Sequence, residues 1–265
     1  MTMFNYDFMN RALWVGMLVG LMAPLIGQTI VLRRMSMVGD AVAHTTLAGV
    51  AIGLILGIDP LISSLITALI GVFLIDVFRK RLPQYADVSI AILMSLGIGL
   101  AATLSSFVRD TNRFSAFLFG SIVAITQQEV ILISIIVVLV IAIYVLFYKE
   151  LFAITFDESM AQHSGINVKL VNAIFMIMLG VTLSIAAKTV GTLILSSLLI
   201  LPVASALQLS KSYKTTLLWA IFFSLFYMLG GLTLSFYLGA KPGGTVVLLA
   251  VLTYMALLPI KKVRR

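Results

Sequence analysis

The sequence contains no cysteine among its 265 residues and little charge of either sign. Without cysteine, the chain has no disulfide framework, no thiolate metal site and no thiol nucleophile. Charged residues make up only 11% of the chain, whereas soluble domains contain about 25%. Only two histidines are present. Any metal site therefore has to use oxygen ligands and very few imidazoles.

Long apolar runs take the place of the missing charge. Hydrophobic residues account for 61% of the chain, and its mean hydropathy is +1.15. Runs such as "QEVILISIIVVLVIAIYVLFYKE" and "TTLLWAIFFSLFYMLGGLTLSFYLG" reach the roughly 20 residues that a helix needs to cross a bilayer. The opening "MTMFNYDFMNRAL" has no basic leader, so we expect the first apolar segment to be retained. The composition predicts an all-α polytopic membrane protein.

The apolar runs, separated by small groups of basic residues, divide the chain into about nine candidate transmembrane segments. Eight or ten remain open alternatives, because the second segment is polar at its start and the seventh contains Ser196, Ser197 and Pro202. The connections are too short for a soluble domain, so residues 1–265 are predicted to form one transmembrane domain. The segments are 11–32, 38–57, 60–78, 87–107, 128–148, 169–187, 190–208, 214–239 and 243–260.

The net charge of +8 is spread over loops, which disfavours a nucleic-acid partner and is typical of cytoplasmic loops in membrane proteins. If these loops face the cytoplasm, the N-terminus is external and the C-terminus is cytoplasmic. Only Arg11, Arg109, Arg113, Lys188 and Lys241 then lie outside. The predicted internal bases are Arg33, Arg34, Arg79, Lys80, Arg81, Lys149, Lys169, Lys211, Lys214, Lys261, Lys262, Arg264 and Arg265.

One ionisable pair lies inside an otherwise apolar segment, in "MVGDAVAHTTLAG". A carboxylate in the hydrocarbon region costs about 2.5–3.5 kcal/mol and usually faces a bundle interior or a water-filled path. Asp40 and His44 are four residues apart and share one helix face. Carboxylate and imidazole suit a divalent ion such as Zn²⁺ or Mn²⁺. Alternatively, Asp40 caps a helix or pairs with Arg33.

Small residues surround this pair densely. Such a helix can approach its neighbours closely, and transporters place their sites on helices near the middle of the membrane. This environment favours a buried, pore-lining helix over one that faces lipid. The small residues are Gly39, Ala41, Ala43, Thr45, Thr46, Ala48, Gly49 and Ala51.

The stretch "VLRRMSMVGDAVAHTTLAGVAIGLILGIDP" resembles the signature region of the permeases of zinc and manganese ABC importers, the ABC-3 family. The resemblance continues through "AILMSLGIGLA", "FLFGSIVAIT", "FDESMAQHSGINVKL" and "VGTLILSSLLILPVASAL". It thus covers nearly the whole chain in the family's order. It implies the fold of a type II ABC importer permease and a multi-pass location in the cell membrane.

The resemblance also implies roles for particular residues. Asp40 and His44 match metal ligands in the translocation path. The stretch 156–168, with Asp157, Glu158 and Gly165, is similar to the cytoplasmic element that couples the permease to an ATPase subunit. Without the family, an ordinary solvated loop is the favoured interpretation of this stretch.

The same resemblance implies the composition of the complex and its cargo. Two permease copies would pair with two ATPase subunits, and an extracytoplasmic binding protein would deliver the metal. The cargo is Zn²⁺ by preference and Mn²⁺ next, with no permanently bound cofactor. The sequence lacks G-x-x-x-x-G-K-[ST], so ATP hydrolysis is expected in the partner subunit and the chain is not itself an enzyme.

Three other function classes fit the sequence less well or equally well. An intramembrane aspartyl protease needs two carboxylates that share a proton, and no second acid lies clearly within a segment. A zinc hydrolase needs H-E-x-x-H or a comparable third ligand. A stand-alone ion-coupled carrier or channel for divalent metal remains the open alternative, because composition and topology fit it too.

Overall fold

The computed structural model describes residues 3–81, 83–121, 125–192 and 195–263. Its regular elements in these ranges are twelve α-helices and two short 3₁₀ turns. The helices are α1 Asp7–Leu32, α2 Ser36–Leu56, α3 Pro60–Arg81, α4 Ala86–Ser105, α5 Thr111–Phe119, α6 Gln127–Leu146, α7 Tyr148–Phe156, α8 Glu158–His163, α9 Val168–Val190, α10 Leu195–Leu209, α11 Tyr213–Leu238 and α12 Pro242–Val263.

Eight of the described helices are long and apolar enough to cross a membrane. The predicted segment 190–208 corresponds to α10, which has 15 residues. At 1.5 Å per residue it is about 22 Å long, shorter than the roughly 30 Å hydrocarbon layer. The expected nine segments are therefore eight of spanning length and one shorter apolar helix, and the all-α polytopic class is confirmed.

Helix boundaries follow turn chemistry that is visible in the sequence. Pro83 begins a 3₁₀ turn just after α3, as expected for a helix-breaking residue. Gly57 has φ +71° and ends α2, a left-handed position that glycine adopts without cost. Arg34 adopts φ +55° between α1 and α2. Among the described residues, Arg34 is the one non-glycine residue with a positive φ, and no pattern in the sequence predicts this conformation.

Burial separates central helices from peripheral ones. In α1 and in α2, 72% of the residues in the apolar stretch are buried. The buried share is 28% in α4 and in α6, and 22% in α12. The exposed side chains of the peripheral helices are largely apolar, for example Ile135, Val138 and Leu252. Exposed apolar residues on spanning helices fit contact with lipid or with another subunit. The helix with the ionisable pair is thus among the most buried.

Several loops meet at one end of the bundle, here called the basic end. Arg33 forms an ion pair with Glu158, and Gln28, one turn before it on α1, donates from Nε2 to the Tyr213 carbonyl oxygen at 2.8 Å. The Tyr213 ring lies 5.8 Å from the ring of Tyr148. The connections that follow α1, α6, α7 and α10 therefore share one end, as their basic residues predict.

The connections with few bases meet at the opposite end, here called the far end. Asp59, Arg113 and Lys188 line one pocket there, and Phe8, at the start of α1, lines a neighbouring pocket with Lys241. The first helix therefore begins at the far end and the last helix starts from it. The number of basic residues in each loop predicts the same division of the loops between the two ends.

The amphiphilic stretch before α6 forms α5, a nine-residue helix that packs against α9 and α2 at the far end. Asp110 caps it by accepting from Arg113 N at 3.0 Å. The Gly120 that ends it has φ +78°, and a Cβ there would lie 2.6 Å from the Thr189 carbonyl oxygen. Residues 122–124 of this stretch lie outside the described ranges.

Candidate metal site

Asp40 and His44 lie on one face of α2, as their spacing predicts. Asp40 is the fifth residue of the helix and His44 is the ninth, about 6 Å and 12 Å along its axis from Ser36. Both side chains are partly buried and interact electrostatically. His44 therefore lies near the middle of α2, and Asp40 lies one turn closer to the basic end.

Asp40 is neither a helix cap nor the ion-pair partner of Arg33, the two alternatives to a role as a metal ligand. The N-cap of α2 is Met35 and the helix begins at Ser36, so Asp40 lies a full turn inside the helix and is not its cap. The Arg33 guanidinium is engaged elsewhere, with Glu158 and Asn172. Neither capping nor pairing with Arg33 therefore accounts for a carboxylate at this position of α2.

Glycine lets neighbouring helices contact α2 beside this pair. A Cβ on Gly97 of α4 would lie 2.8 Å from Thr45 N and 3.1 Å from His44 Cβ, so the α4 backbone touches α2 at His44. A Cβ on Gly39 would lie 3.8 Å from Ser196 Cβ of α10. The small residues therefore serve the close packing that their density predicts.

The face with the pair is the more open side of α2. Met37, one turn before Asp40 and on the same face, is 49% exposed, whereas the other faces pack against α3, α4, α9 and α10. The nearby Thr45 and Thr46 hydroxyls donate to the Val42 carbonyl within the helix. The carboxylate and imidazole are thus the polar groups that this face presents outward from a single chain.

A single chain supplies few ligands. Within the described ranges, no cluster of three or more histidine, cysteine, aspartate or glutamate side chains is placed to hold a metal ion. Exposure of a carboxylate to lipid costs about 2.5–3.5 kcal/mol. A second copy of the chain packed against the face of α2 that contains Asp40 and His44, with water between the copies, would complete a coordination shell. It would also remove the cost of exposing the carboxylate to lipid.

The three residues assigned to ATPase coupling lie together, at the basic end and apart from Asp40 and His44. Asp157 caps α8 by accepting from Met160 N at 2.9 Å. Gly165 has φ +85°, and the Ile166 N–H donates to the Ala161 carbonyl at 3.1 Å. These contacts start and stop α8, so the stretch 156–168 is an ordered helical turn and not an irregular loop.

Glu158, the third of these residues, is about half exposed and bonds to side chains of two other segments. Its carboxylate pairs with Arg33 and accepts from Asn172 Nδ2 at 3.3 Å. Burial, followed by the positive charge of Arg79, lowers the pKa of Arg33 to about 10, so it stays charged at neutral pH. No sequence spacing indicates this contact between residues 125 positions apart. His163, the other histidine of the chain, is exposed at the end of α8.

A second charged cluster lies in a pocket of about 290 Å³ at the far end. Lys188 pairs there with Glu129, and the two side chains are only 10% and 14% exposed. Glu129 Oε2 also accepts from Thr126 N at 2.8 Å and completes a capping box for α6. The T-x-x-E spacing predicts the cap, but the partner on α9 comes only from the tertiary structure.

We expect Lys188→Met to destabilise the protein by about 2 kcal/mol, because Glu129 loses its partner in a largely buried site that still opens to water. Lys188→Met combined with Glu129→Gln should recover much of this loss, since glutamine still accepts from Thr126. Thermal unfolding midpoints of the purified variants in detergent measure both effects. Simple additivity of the two substitutions would contradict a direct pairing.

Sequence comparison extends these observations to known proteins. The sequence profile of the ABC 3 transport family matches residues 5–261. A "Probable metal transport system membrane protein" from Treponema pallidum is 35% identical over 264 residues, 99% of each chain. The match thus covers α1 to α12, including α2 and the stretch 156–168.

Two further relatives differ in the metal that their names state. The "Manganese transport system membrane protein MntC" of Listeria monocytogenes is 30% identical, over 94% of this chain and 89% of that protein. The "High-affinity zinc uptake system membrane protein ZnuB" of Haemophilus influenzae is 29% identical, over 94% and 96%.

Structure comparison agrees with the sequence match. The solved structure described as PsaBC from Streptococcus pneumoniae in complex with Fab superposes with a TM-score of 0.86 at 26% identity. The superposition covers 95% of this chain and 91% of that chain. The arrangement of helices described above is therefore that of a chain in this solved structure.

Proposed function

Because the chain belongs to the ABC 3 transport family, we propose that it is the membrane permease of an ABC importer that moves a divalent metal ion into the cytoplasm. The observation that carries this proposal is the family match over residues 5–261, which includes a buried helix with a carboxylate and an imidazole on one face. Zn²⁺ is the favoured cargo and Mn²⁺ is the next.

Asp40 and His44 would replace part of the ion's hydration shell near the middle of the membrane. One oxygen and one nitrogen ligand per chain suit both metals, and the relatives include proteins named for each. A homodimer would present two such pairs across its axis. Affinity at this site should be modest, since an ion that binds there must also leave. The metal is cargo and not a resident cofactor.

The basic end would face the cytoplasm, with the N-terminus external and the C-terminus internal. This orientation is supported by the positive-inside rule, because the loops at the basic end contain Arg33, Arg79, Lys149 and Lys214 while the far end has few bases. An extracytoplasmic metal-binding protein would then deliver the ion at the far end.

A separate ATPase subunit would supply the energy and dock at the basic end on the coupling element, residues 156–168. Phe156 and Met160, which flank the start of α8, are 63% and 70% exposed. A contiguous patch of exposed apolar side chains is typical of an interaction site. Beside them, Tyr148, Phe152 and Tyr213 line a groove of about 540 Å³. Closure of an ATPase dimer beneath these elements would switch the permease dimer between outward-facing and inward-facing states.

Purification and reconstitution test this function. We expect the tagged chain to retain an ATPase subunit through purification. In liposomes, the complex should transport Zn²⁺ only when ATP is present on the side of the membrane where the ATPase subunit is bound and the binding protein is present on the other side. Mn²⁺, Mg²⁺ and Ca²⁺ supplied in parallel define selectivity. Import without ATP, driven by a proton or sodium gradient, would instead identify the stand-alone carrier, and passive flux would identify a channel.

A further inference from the structure

Arg33 lies at a rigid turn that leads directly into the helix with the ionisable pair. Arg34 N donates to the Val31 carbonyl at 3.1 Å, and Met35 N donates to the Ile30 carbonyl at 2.9 Å. These two bonds form a Schellman motif that closes α1, and α2 begins one residue later, at Ser36. Because the turn is short and hydrogen-bonded, a displacement of Arg33 moves the start of α2.

The Arg33 side chain belongs to a closed ring of polar contacts. Its Nη1 donates to Asn172 Oδ1 at 2.8 Å, Asn172 Nδ2 donates to Glu158 Oε1 at 3.3 Å, and Glu158 pairs with the Arg33 guanidinium. Arg33 is 10% exposed and Glu158 is 47% exposed. Each member contacts the other two, so the ring fixes α8, α9 and the α1–α2 turn relative to one another.

A second contact also holds the turn. Arg79, near the end of α3, donates from Nη1 to Met35 Sδ at 3.3 Å. The turn before α2 is thus held both by the ring and by α3. Asp40 lies about 8 Å along the helix axis from Met35, so a shift at the turn reaches the proposed metal ligands through a single helix.

We infer that the ring of Arg33, Glu158 and Asn172 transmits movement of α8 to α2 and thereby couples ATP hydrolysis to the opening of the metal site. This inference rests on the proposed function. Glu158 is then a positioning residue within the permease, and the surface that contacts the ATPase subunit is left to exposed side chains such as Phe156 and Met160. The ion pair has to survive the transport cycle for α8 and α2 to move together.

The experiment measures metal import and ATP hydrolysis by the complete complex in liposomes, for the unaltered chain and four variants. Arg33→Glu and Glu158→Arg each place like charges together. The double variant restores an ion pair with reversed polarity, which the amide of Asn172 can still bridge. Arg81→Ala removes an exposed charge at the same end of the bundle and is the matched control.

We expect each single variant to hydrolyse ATP with its ATPase subunit still bound but to import at least fivefold fewer ions per ATP. The double variant should recover at least half of the unaltered ratio, and Arg81→Ala should keep all of it. A merely structural role would lower import and hydrolysis together and leave the ratio unchanged.

Three results would overturn the inference: single variants with the unaltered ratio, loss of the ATPase subunit from Glu158→Arg, or a double variant that does not recover. If the single variants fail to reach the membrane, Arg33→Gln and Glu158→Gln replace them under the same criteria, because each removes one charge of the pair, and the charge-reversed double variant still has to recover the ratio. Failure of the unaltered complex to import metal would refute the proposed function instead.

Discussion

Replacing Asp40 with asparagine is expected to lower divalent metal uptake at least about tenfold, with the protein still present in the membrane at its normal abundance. Asparagine has nearly the same shape but no charge, so the ion loses an anionic ligand while packing around α2 is kept. Loss of an outer-shell partner alone costs about 10–100-fold at metal sites. His44→Ala should have a similar effect, because no other imidazole lies on α2.

The measurement is uptake of labelled Zn²⁺ and Mn²⁺ into cells that lack other importers, normalised to the amount of permease in the membrane. Asp87→Asn is the matched control, since Asp87 is an exposed carboxylate in the first turn of α4. Unaltered uptake by both Asp40→Asn and His44→Ala would refute the ligand assignment. Equal loss in Asp87→Asn would show that the effect is not specific to α2.

Substituting Gly27 with alanine is expected to destabilise the bundle by about 3 kcal/mol, the upper part of the usual range for overpacking. A Cβ at this position would lie 2.2 Å from the Leu199 carbonyl oxygen, and the neighbouring backbone carbon would be at 3.1 Å. Backbone atoms cannot move aside as a flexible side chain can. α1 and α10 would have to separate at the centre of the core.

Gly99→Ala provides the comparison, because a Cβ on Gly99 of α4 meets no atom within 4 Å. That substitution should be neutral or slightly stabilising, as alanine is the better helix former. Thermal midpoints of the purified proteins in detergent, with membrane abundance as a second readout, distinguish the two. Similar midpoints for Gly27→Ala and Gly99→Ala would contradict the close contact of α1 and α10.

Much of the membrane architecture could be predicted from the sequence because it follows from composition. Apolar run length and loop charge predict the spanning helices and the sorting of loops to two ends. The prediction is least accurate at 190–208. There α10 is shorter than a bilayer, and hydropathy alone does not show how far a buried apolar helix extends.

The candidate site was only partly predictable. The i and i+4 spacing places Asp40 and His44 on one face, since that follows from helix geometry. The choice between a ligand pair and a helix cap could not be made from spacing, because it depends on where α2 begins. With Ser36 as the first residue, the capping interpretation of Asp40 is wrong.

The sequence by itself determined that this chain is a polytopic helical membrane protein, that its chemistry excludes thiols, and that a carboxylate and an imidazole share a face of one buried helix. These conclusions depend on composition and local periodicity, which every short stretch contains. The tertiary structure alone decided the pairing of Arg33 with Glu158, the pairing of Lys188 with Glu129, and the contact of Gly97 with His44. Such contacts join residues 53 or more positions apart, and their partners are selected by how the helices pack.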